Sequence, residues 1–366
     1  QQAINKNFIK LAEKKINLIL QSDFLKIEDY IKSLFFFKRI KRLNLDKINF
    51  RNFNVTSLVK YELKNSRFNQ SSVIALLNYF CFKRMKEEDL DIKICIDWYE
   101  NQIVDKGFNY AKNIFFPDVK SKGYLGSNPI LEVNRNFIPS SLEISKNVTP
   151  NEICLINPKY FELFKEFRKD IKFSLVPALR SQKMFDEKNF QNISRKFESV
   201  KILINFTGFH SDNLEMIELI NNCKIFKSKK IDLFLRPHKA YKKEIFRKLL
   251  SKEIFFKFSV NNFYDEMKNT QILVSRPNTA CFESLIFGVP VLITRRKRSF
   301  LPIKASKAFP KNLWFFCNDS NDLDENINRI IVDKSNYIVK SADERKKILS
   351  EYFSSVNNQN VSNLIN

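Results

Sequence analysis

The sequence predicts an α/β fold of parallel sheets covered by helices, spread over two domains. Three observations predict it. Short apolar runs recur from residue 91 onward, helical patterns separate most of them, and 366 residues exceed one ordinary core.

Residues 1–90 read as mostly helical. NKNFIKLAEKKINLILQ places apolar residues at i, i+3, i+4 and i+7, as an amphipathic helix requires. SSVIALLNYFCFKRMKEEDL reads as another helix, more buried at its start. Between them, SLFFFKRIKRL is apolar and then basic. It fits a core helix with a solvated end or a segment touching an anionic membrane surface. DIKICID (91–97) alternates as a strand and runs into the loop WYENQ. EICLIN (152–157), IKFSLVP (171–177), VKILINF (200–206), IDLFLRP (231–237), QILVS (271–275) and VPVLIT (289–294) read as further strands. FELFKEFRK, SDNLEMIELINNCK, YKKEIFRKLLSK, NFYDEMKN and NTACFESLIF read as the helices between most of them. SKGYLGSNP reads as a flexible loop. The polar stretch SQKMFDEKNFQNISRKFES (181–199) is the expected boundary, giving domains 1–190, helical at its start, and 191–366.

A hydrophobic content of 44% excludes a disordered chain. The net charge of +23 invites a nucleic-acid partner. Abundant Lys, Asn and Ile with 37 Phe, as in an AT-biased genome, give the same charge. The aromatics sit in apolar runs rather than interleaved with basic residues on one face, so no nucleic acid is expected. A basic nucleic-acid-binding protein stays as the alternative from another class. Six cysteines without CxxC spacing read as buried free thiols of a reducing compartment. Two histidines in the chain argue against a zinc site. No apolar run reaches about 18 residues, and no signal-peptide pattern opens the chain. The expected location is cytoplasmic, with a peripheral place at the inner membrane face left open. The start QQ, without Met, reads as that of a trimmed chain.

The chain has 5 glycines: Gly107, Gly123, Gly126, Gly208 and Gly288. None falls in a stretch that reads firmly as helix or strand. Glycine in so short a supply marks tight turns or close backbone approach. Gly107, Gly123, Gly126 and Gly208 fit the carboxyl edge of strands, where open parallel sheets bind ligands. His210 and His238 also lie just past strand ends. A lone histidine is more often structural, but these two share one expected edge.

Two stretches carry chemistry suited to a phosphorylated ligand. In RPHK, Arg236, His238 and Lys239 are three cationic donors beside a stiff Pro237; a solvated basic turn is the plainer reading. In SRPNTACFESLIFGVPVL (275–292), Asn278 is the expected N-cap and Thr279 the first turn of a helix. That helix N-terminus suits phosphate, with Ser275 and Thr279 adding hydroxyls. Glu283 lies one turn further on, where a carboxylate can accept from two vicinal hydroxyls. Gly288 is the C-cap and Pro290 blocks continuation. Thr207, Gly208, His210 and Ser284 complete the donor-side candidates.

The spacing E-x4-G-x-P after Ser and Thr resembles the donor-binding region of GT-B glycosyltransferases, over about residues 200–295. The RPH element resembles that of bacterial capsule and lipopolysaccharide transferases. The resemblance implies two Rossmann-like domains facing a cleft, with the donor in the C-terminal domain and the acceptor in the N-terminal one. It implies that Glu283 holds the ribose, and it favours a CMP-sugar such as CMP-Kdo. Lys239 stands where those families commonly have proline after the histidine, which weakens the CMP assignment and leaves the phosphate role. The expected activity is transfer of a sugar to a bacterial surface glycan or glycolipid. Arg236, His238, Lys239 and the helix at Thr279 would meet the leaving-group charge. No DxD-like motif stands out in a loop, so neither a metal nor a cofactor beyond the nucleotide-sugar co-substrate is expected.

WYENQ is the expected acceptor side, and it also resembles a segment of bacterial surface-carbohydrate transferases. Asp97 and Glu100 sit at a strand end beside two aromatics. Glu100 is the expected general base, although capping of the following helix would explain it equally. Trp98 and Tyr99 are expected to stack on a sugar, Asn101 and Gln102 to orient it, and Arg180 to bind an acidic sugar or pair with a carboxylate. A polyol-phosphate transferase using a CDP-activated donor, with the histidines as acid and base, remains the enzymatic alternative. An inactive GT-B-like scaffold remains a further one.

Overall fold

The computed structural model describes residues 20–43, 45–66, 69–128, 137–186, 199–228, 231–295, 313–333 and 342–366. The chain divides into two units: Gln1–Tyr124 with Asn136–Ile153, and Leu125–Arg135 with Cys154–Asn366. Most of the helix expected at 5–21, and much of the boundary expected around residue 190, lie outside the described residues. The α/β class with parallel strands and covering helices is what the structure shows.

The first unit begins with helices. α1 (Ile27–Leu34) precedes the short helix Phe37–Ile40 and a two-residue antiparallel ladder, Asn49–Phe50 with Phe53–Asn54. α2 (Thr56–Asn65) and α3 (Gln70–Glu87) follow. The Asn69 side chain caps α3, accepting from the N–H groups of Ser71 at 2.9 Å and Ser72 at 3.3 Å. Strand β1 (Ile94–Trp98) pairs in parallel with β2 (Lys120–Leu125), and α4 (Ile103–Phe115) connects them. Phe82, Cys95, Ala111 and Phe116 form the core between α3, β1 and α4.

Three sequence readings are corrected here. Gly107 lies inside α4, not at a strand edge. A Cβ there would come within 2.3 Å of the Ala75 carbonyl oxygen on α3, so this glycine serves close helix–helix approach. Gly123 lies inside β2, where a Cβ would meet Pro150 and Tyr99 at 2.8 Å. The expected loop SKGYLGSNP is therefore mostly strand.

The second unit opens with β3 (Glu152–Leu155), which spans the division, then α5 (Pro158–Phe167) and β4 (Lys172–Leu175). Its main sheet holds β5 (Val200–Asn205), β6 (Ile231–Arg236), β7 (Phe256–Phe258), β8 (Ile272–Ser275), β9 (Val291–Thr294) and β10 (Trp314–Cys317). Their spatial order is β10-β9-β8-β5-β6-β7, and every pairing is parallel. Numbered along the chain, this is the 3-2-1-4-5-6 order of a doubly wound sheet. The strands run outward from β5 in two directions, so the order reverses between β5 and β8. Helices α6 (His210–Asn222), α7 (Lys243–Leu249), α8 (Phe263–Lys268), α9 (Thr279–Ile286) and α10 (Ser320–Val332) follow β5, β6, β7, β8 and β10 in turn. α11 (Ala342–Tyr352) and α12 (Asn358–Ile365) end the chain. Central strands β8 and β9 are buried throughout, which explains their unbroken apolar runs.

α9 ends as the sequence indicates. Gly288 adopts φ 67°, the left-handed region. The N–H of Val289 reaches the carbonyl of Ser284 at 3.1 Å and that of Gly288 reaches Leu285 at 2.9 Å. This pair of bonds is the Schellman stop, which needs glycine at that one position.

Candidate functional site

Ligands of doubly wound sheets bind beyond the carboxyl ends of the strands, where the order reverses. Here that point lies between β5 and β8, whose last residues Asn205 and Ser275 are register partners. The buried Ser275 hydroxyl donates to the Asn205 carbonyl at 3.3 Å and accepts from the Asn278 amide at 3.0 Å. Asn278 is the N-cap residue of α9, but its side chain is spent on Ser275 and makes no cap bond. The Thr279 hydroxyl oxygen accepts from the Asn128 N–H at 3.2 Å, so its own proton can point to a ligand. Asn128 is itself buried and fixed by the Tyr352 carbonyl at 2.9 Å and the Asn157 amide at 3.0 Å.

One turn along, Glu283 is 8% exposed. The Tyr264 hydroxyl donates to its carboxylate at 3.1 Å, Ser181 hydrogen-bonds it, and the charges of Arg180 and Arg236 act on it. Burial pushes this carboxyl up to about 7, against the pull of Tyr264, Arg180, Ser181 and Arg236. Arg236 leaves β6 with one nitrogen held by the Asn261 carbonyl at 2.8 Å and the Ser259 hydroxyl at 3.2 Å. Its guanidinium stands 5.7 Å from the Phe263 ring centre. Arg180, expected on the acceptor side, belongs instead to the second unit and faces Glu283 electrostatically. Ser284 does not fit its expected role: it is fully buried and donates to the Cys281 carbonyl at 2.9 Å. It points into the core because one helical step turns a side chain by about 100° from its neighbour.

The loops after β5 and β6 are tied to one another. The Tyr241 hydroxyl donates to the Gly208 carbonyl at 3.2 Å, and the Tyr241 ring stacks on His210 at 6.1 Å between centroids. His238 lies against Gly208, where an added Cβ would stand 3.5 Å from the ring. Its Nδ1 accepts the Ala240 N–H at 3.3 Å, so the neutral ring carries its proton on Nε2. Thr207 shapes the loop: its N–H donates to Asn213 at 3.0 Å, and its hydroxyl accepts from Phe209 at 3.1 Å. His210, His238 and Lys239 are exposed.

In the first unit, β1 alternates sides. Cys95 and Tyr99 are buried, whereas Ile96 and Trp98 are 40% and 45% exposed. Tyr99 is therefore corrected as a stacking residue, since it is fully buried against Gly123. Trp98 keeps an open face, and its indole N–H donates to Glu100 at 3.1 Å. The Gln102 amide donates to the other Glu100 oxygen at 2.7 Å. Asn101 takes φ 55°, turning the chain sharply into α4. Asp105 holds that turn, accepting the N–H groups of Glu100 at 2.8 Å and Gln102 at 2.9 Å.

Asp97 shares the inward side of β1 with Cys95 and Tyr99. Asn109 donates to one of its oxygens at 3.1 Å, while the other is buried with no hydrogen-bond partner among the described residues. Burial, then the nearby Asp105 charge, pushes its carboxyl up to about 7. Its free oxygen faces inward with Tyr99, whereas Glu100, the expected base, stands beside Trp98. The period-two pattern ICIDWY, which puts Asp97 in line with Cys95, was the available signal of that inward placement. Tyr264 and Ser181 were missed altogether.

No protein-family model matches the chain, and no curated protein matches it either. Among solved structures, the chain is similar to a Staphylococcus aureus MnaA–UDP co-structure at 13% identity, covering 91% of this chain and 98% of that one, with a TM-score of 0.49. It is similar to a UDP-GlcNAc 2-epimerase from Neisseria meningitidis bound to UDP-GlcNAc at 14% identity, 76% and 81% coverage and a TM-score of 0.48. Acinetobacter baumannii MurG gives 11% identity, 80% and 78% coverage and a TM-score of 0.44. At TM-scores below 0.5 these likenesses carry no weight for function.

Proposed function

We propose that the chain is a GT-B-type glycosyltransferase that takes a sugar from a nucleotide-activated donor and builds a bacterial surface glycan. The observation that carries this reading is Glu283: a buried carboxylate one turn into a helix that starts where the order of a 3-2-1-4-5-6 parallel sheet reverses. Such a carboxylate accepts from the vicinal hydroxyls of a ribose, while the N-terminus of α9 and the Thr279 hydroxyl meet phosphate. Arg236, Lys239 and the Nε2–H of His238 add cationic and hydrogen-bond donors for the leaving phosphate. Removing one such donor typically costs about 10²–10³ in rate. These side chains supply charge that a metal would otherwise bring, so turnover is expected to survive a chelator. In the first unit, Glu100 is the proposed base for the acceptor hydroxyl, with Trp98 beside it as the sugar-stacking face and Gln102 as an orienting group.

The test is a thermal-shift screen of the full chain with CMP, CDP, UDP, GDP and dTDP. A bound nucleotide at about 100 times its Kd adds about 2.7 kcal/mol of stability. Stabilisation by one nucleotide, lost in Glu283→Ala, supports the donor site and identifies its base: CMP fits the RPHK reading, and UDP replaces it. Absence of a shift with every nucleotide refutes the reading.

A further inference from the structure

Helix α1 is built inside out. Ile27, Tyr30, Ile31 and Leu34 fall at i, i+3, i+4 and i+7, the stripe that ordinarily faces a core. Here they are 81%, 38%, 50% and 58% exposed. The opposite, polar side is the buried one: Asp29 and Ser33 are 0% exposed. An ion pair fixes this orientation. Arg84 of α3 grips Asp29 with two parallel bonds, Nε–H at 2.9 Å and Nη2–H at 2.8 Å, and also binds Glu28 and Glu87. Turning the stripe inward would break this bidentate contact and strand a buried charge.

The apolar exposure continues beyond α1. Leu43, Phe50, Phe53 and Leu58 are 55–71% exposed. A cavity of about 300 Å³ beside them is lined by Phe37, Leu43 and Leu63 together with Lys41, Lys60 and Lys64. Between residues 26 and 64 the sequence carries ten Lys and Arg against four Asp and Glu. An outward apolar stripe in a segment with this excess of positive charge matches an anionic bilayer surface, where acyl chains take the apolar side chains and lipid phosphates take the lysines. A nucleic acid would satisfy the lysines but would leave Ile27, Ile31, Leu34 and Leu58 in water.

We propose that residues 26–64 form a contact surface for an anionic membrane, on which α1 lies with its apolar stripe toward the lipid. This surface belongs to the first unit and does not depend on the nucleotide reading of the second.

The experiment is co-sedimentation of the full chain with vesicles of phosphatidylcholine alone and of phosphatidylcholine with phosphatidylglycerol. Binding is expected only to the anionic vesicles. It should weaken at least tenfold when salt rises from about 0.1 M to about 1 M, which shortens the Debye length from about 10 Å to about 3 Å. The triple variant Ile27→Ser, Ile31→Ser, Leu34→Ser should lose vesicle binding at least tenfold while keeping its melting temperature and its nucleotide-induced shift. Lys41→Glu, Lys60→Glu, Lys64→Glu together should lose it as well. The proposal is overturned if the wild-type chain ignores anionic vesicles or if the serine variant binds them unchanged. A marked fall in the serine variant's melting temperature overturns it too, because the stripe would then be covered within the protein. So does tight low-salt RNA binding lost in the same variant. A failed nucleotide screen leaves all these outcomes readable.

Discussion

Asp97→Asn should make the protein more stable at pH 8. The Asp97 carboxyl titrates near 7 in the fold against an ordinary value near 3.8, with burial and the Asp105 charge as causes. The folded state therefore holds a proton that the unfolded chain has released between about pH 4 and pH 7. Stability falls as pH rises through that window and is flat above it. At about 1.4 kcal/mol for each unit, the full difference is about 4 kcal/mol, and sharing of charge with Asp105 brings a realistic figure to about 2–4 kcal/mol. Asparagine removes the charge but keeps an oxygen for the Asn109 amide, now at 3.1 Å. Chemical denaturation at pH 4.5 and pH 8 should thus show little change at the lower pH and a gain of about 2–4 kcal/mol at the higher one. Equal effects at both values would refute the burial argument.

Nucleotide affinity should rise between about pH 5.5 and pH 7.5, because ribose hydroxyls favour the ionised form of Glu283, whose carboxyl stands near 7. Calorimetry in buffers of different ionisation enthalpy should show proton release on binding, absent in Glu283→Gln. Asp29→Ala should cost about 3–5 kcal/mol in urea unfolding, since it leaves the Arg84 guanidinium buried without its main partner. Gly107→Ala should cost about 1–3 kcal/mol through forced separation of α3 and α4, less about 1 kcal/mol of improved helix propensity. A gain in melting temperature there would contradict the close approach.

Signals that act within a few residues were legible in the sequence. The runs of β8 and β9 were readable because buried parallel strands are apolar almost throughout, and those of β5 and β6 because apolar residues dominate them despite Lys201 and Asp232. The stop after α9 was readable because glycine and proline act on their own backbone. Contacts from distant segments were not. Tyr264 and Ser181 reach Glu283 from 19 and 102 positions away, and nothing local marks them. Gly107 looked like a turn glycine because sequence does not tell which backbone will pass close by. Glu100 and Asp97 are both acidic residues at a strand end; burial separates them, and only the alternation along β1 hinted at it. The stripe of α1 is visible as a pattern, but periodicity does not say which side meets water. That side was decided by Asp29 and Arg84, which are 55 residues apart.

α9 is clamped at both ends, by Asn278 and the Asn128–Thr279 bond at its start and by Gly288 at its finish. Between Thr279 and Glu283 the helix rises four residues, about 6 Å at 1.5 Å each. On the proposed reading, the helix is thus a ruler of fixed length, with a phosphate mark at one end and a hydroxyl mark at the other. A molecule is measured by whether both of its groups reach their marks together. A nucleotide without one sugar hydroxyl reaches only half of the second mark, so deoxyribose donors should be read as too short.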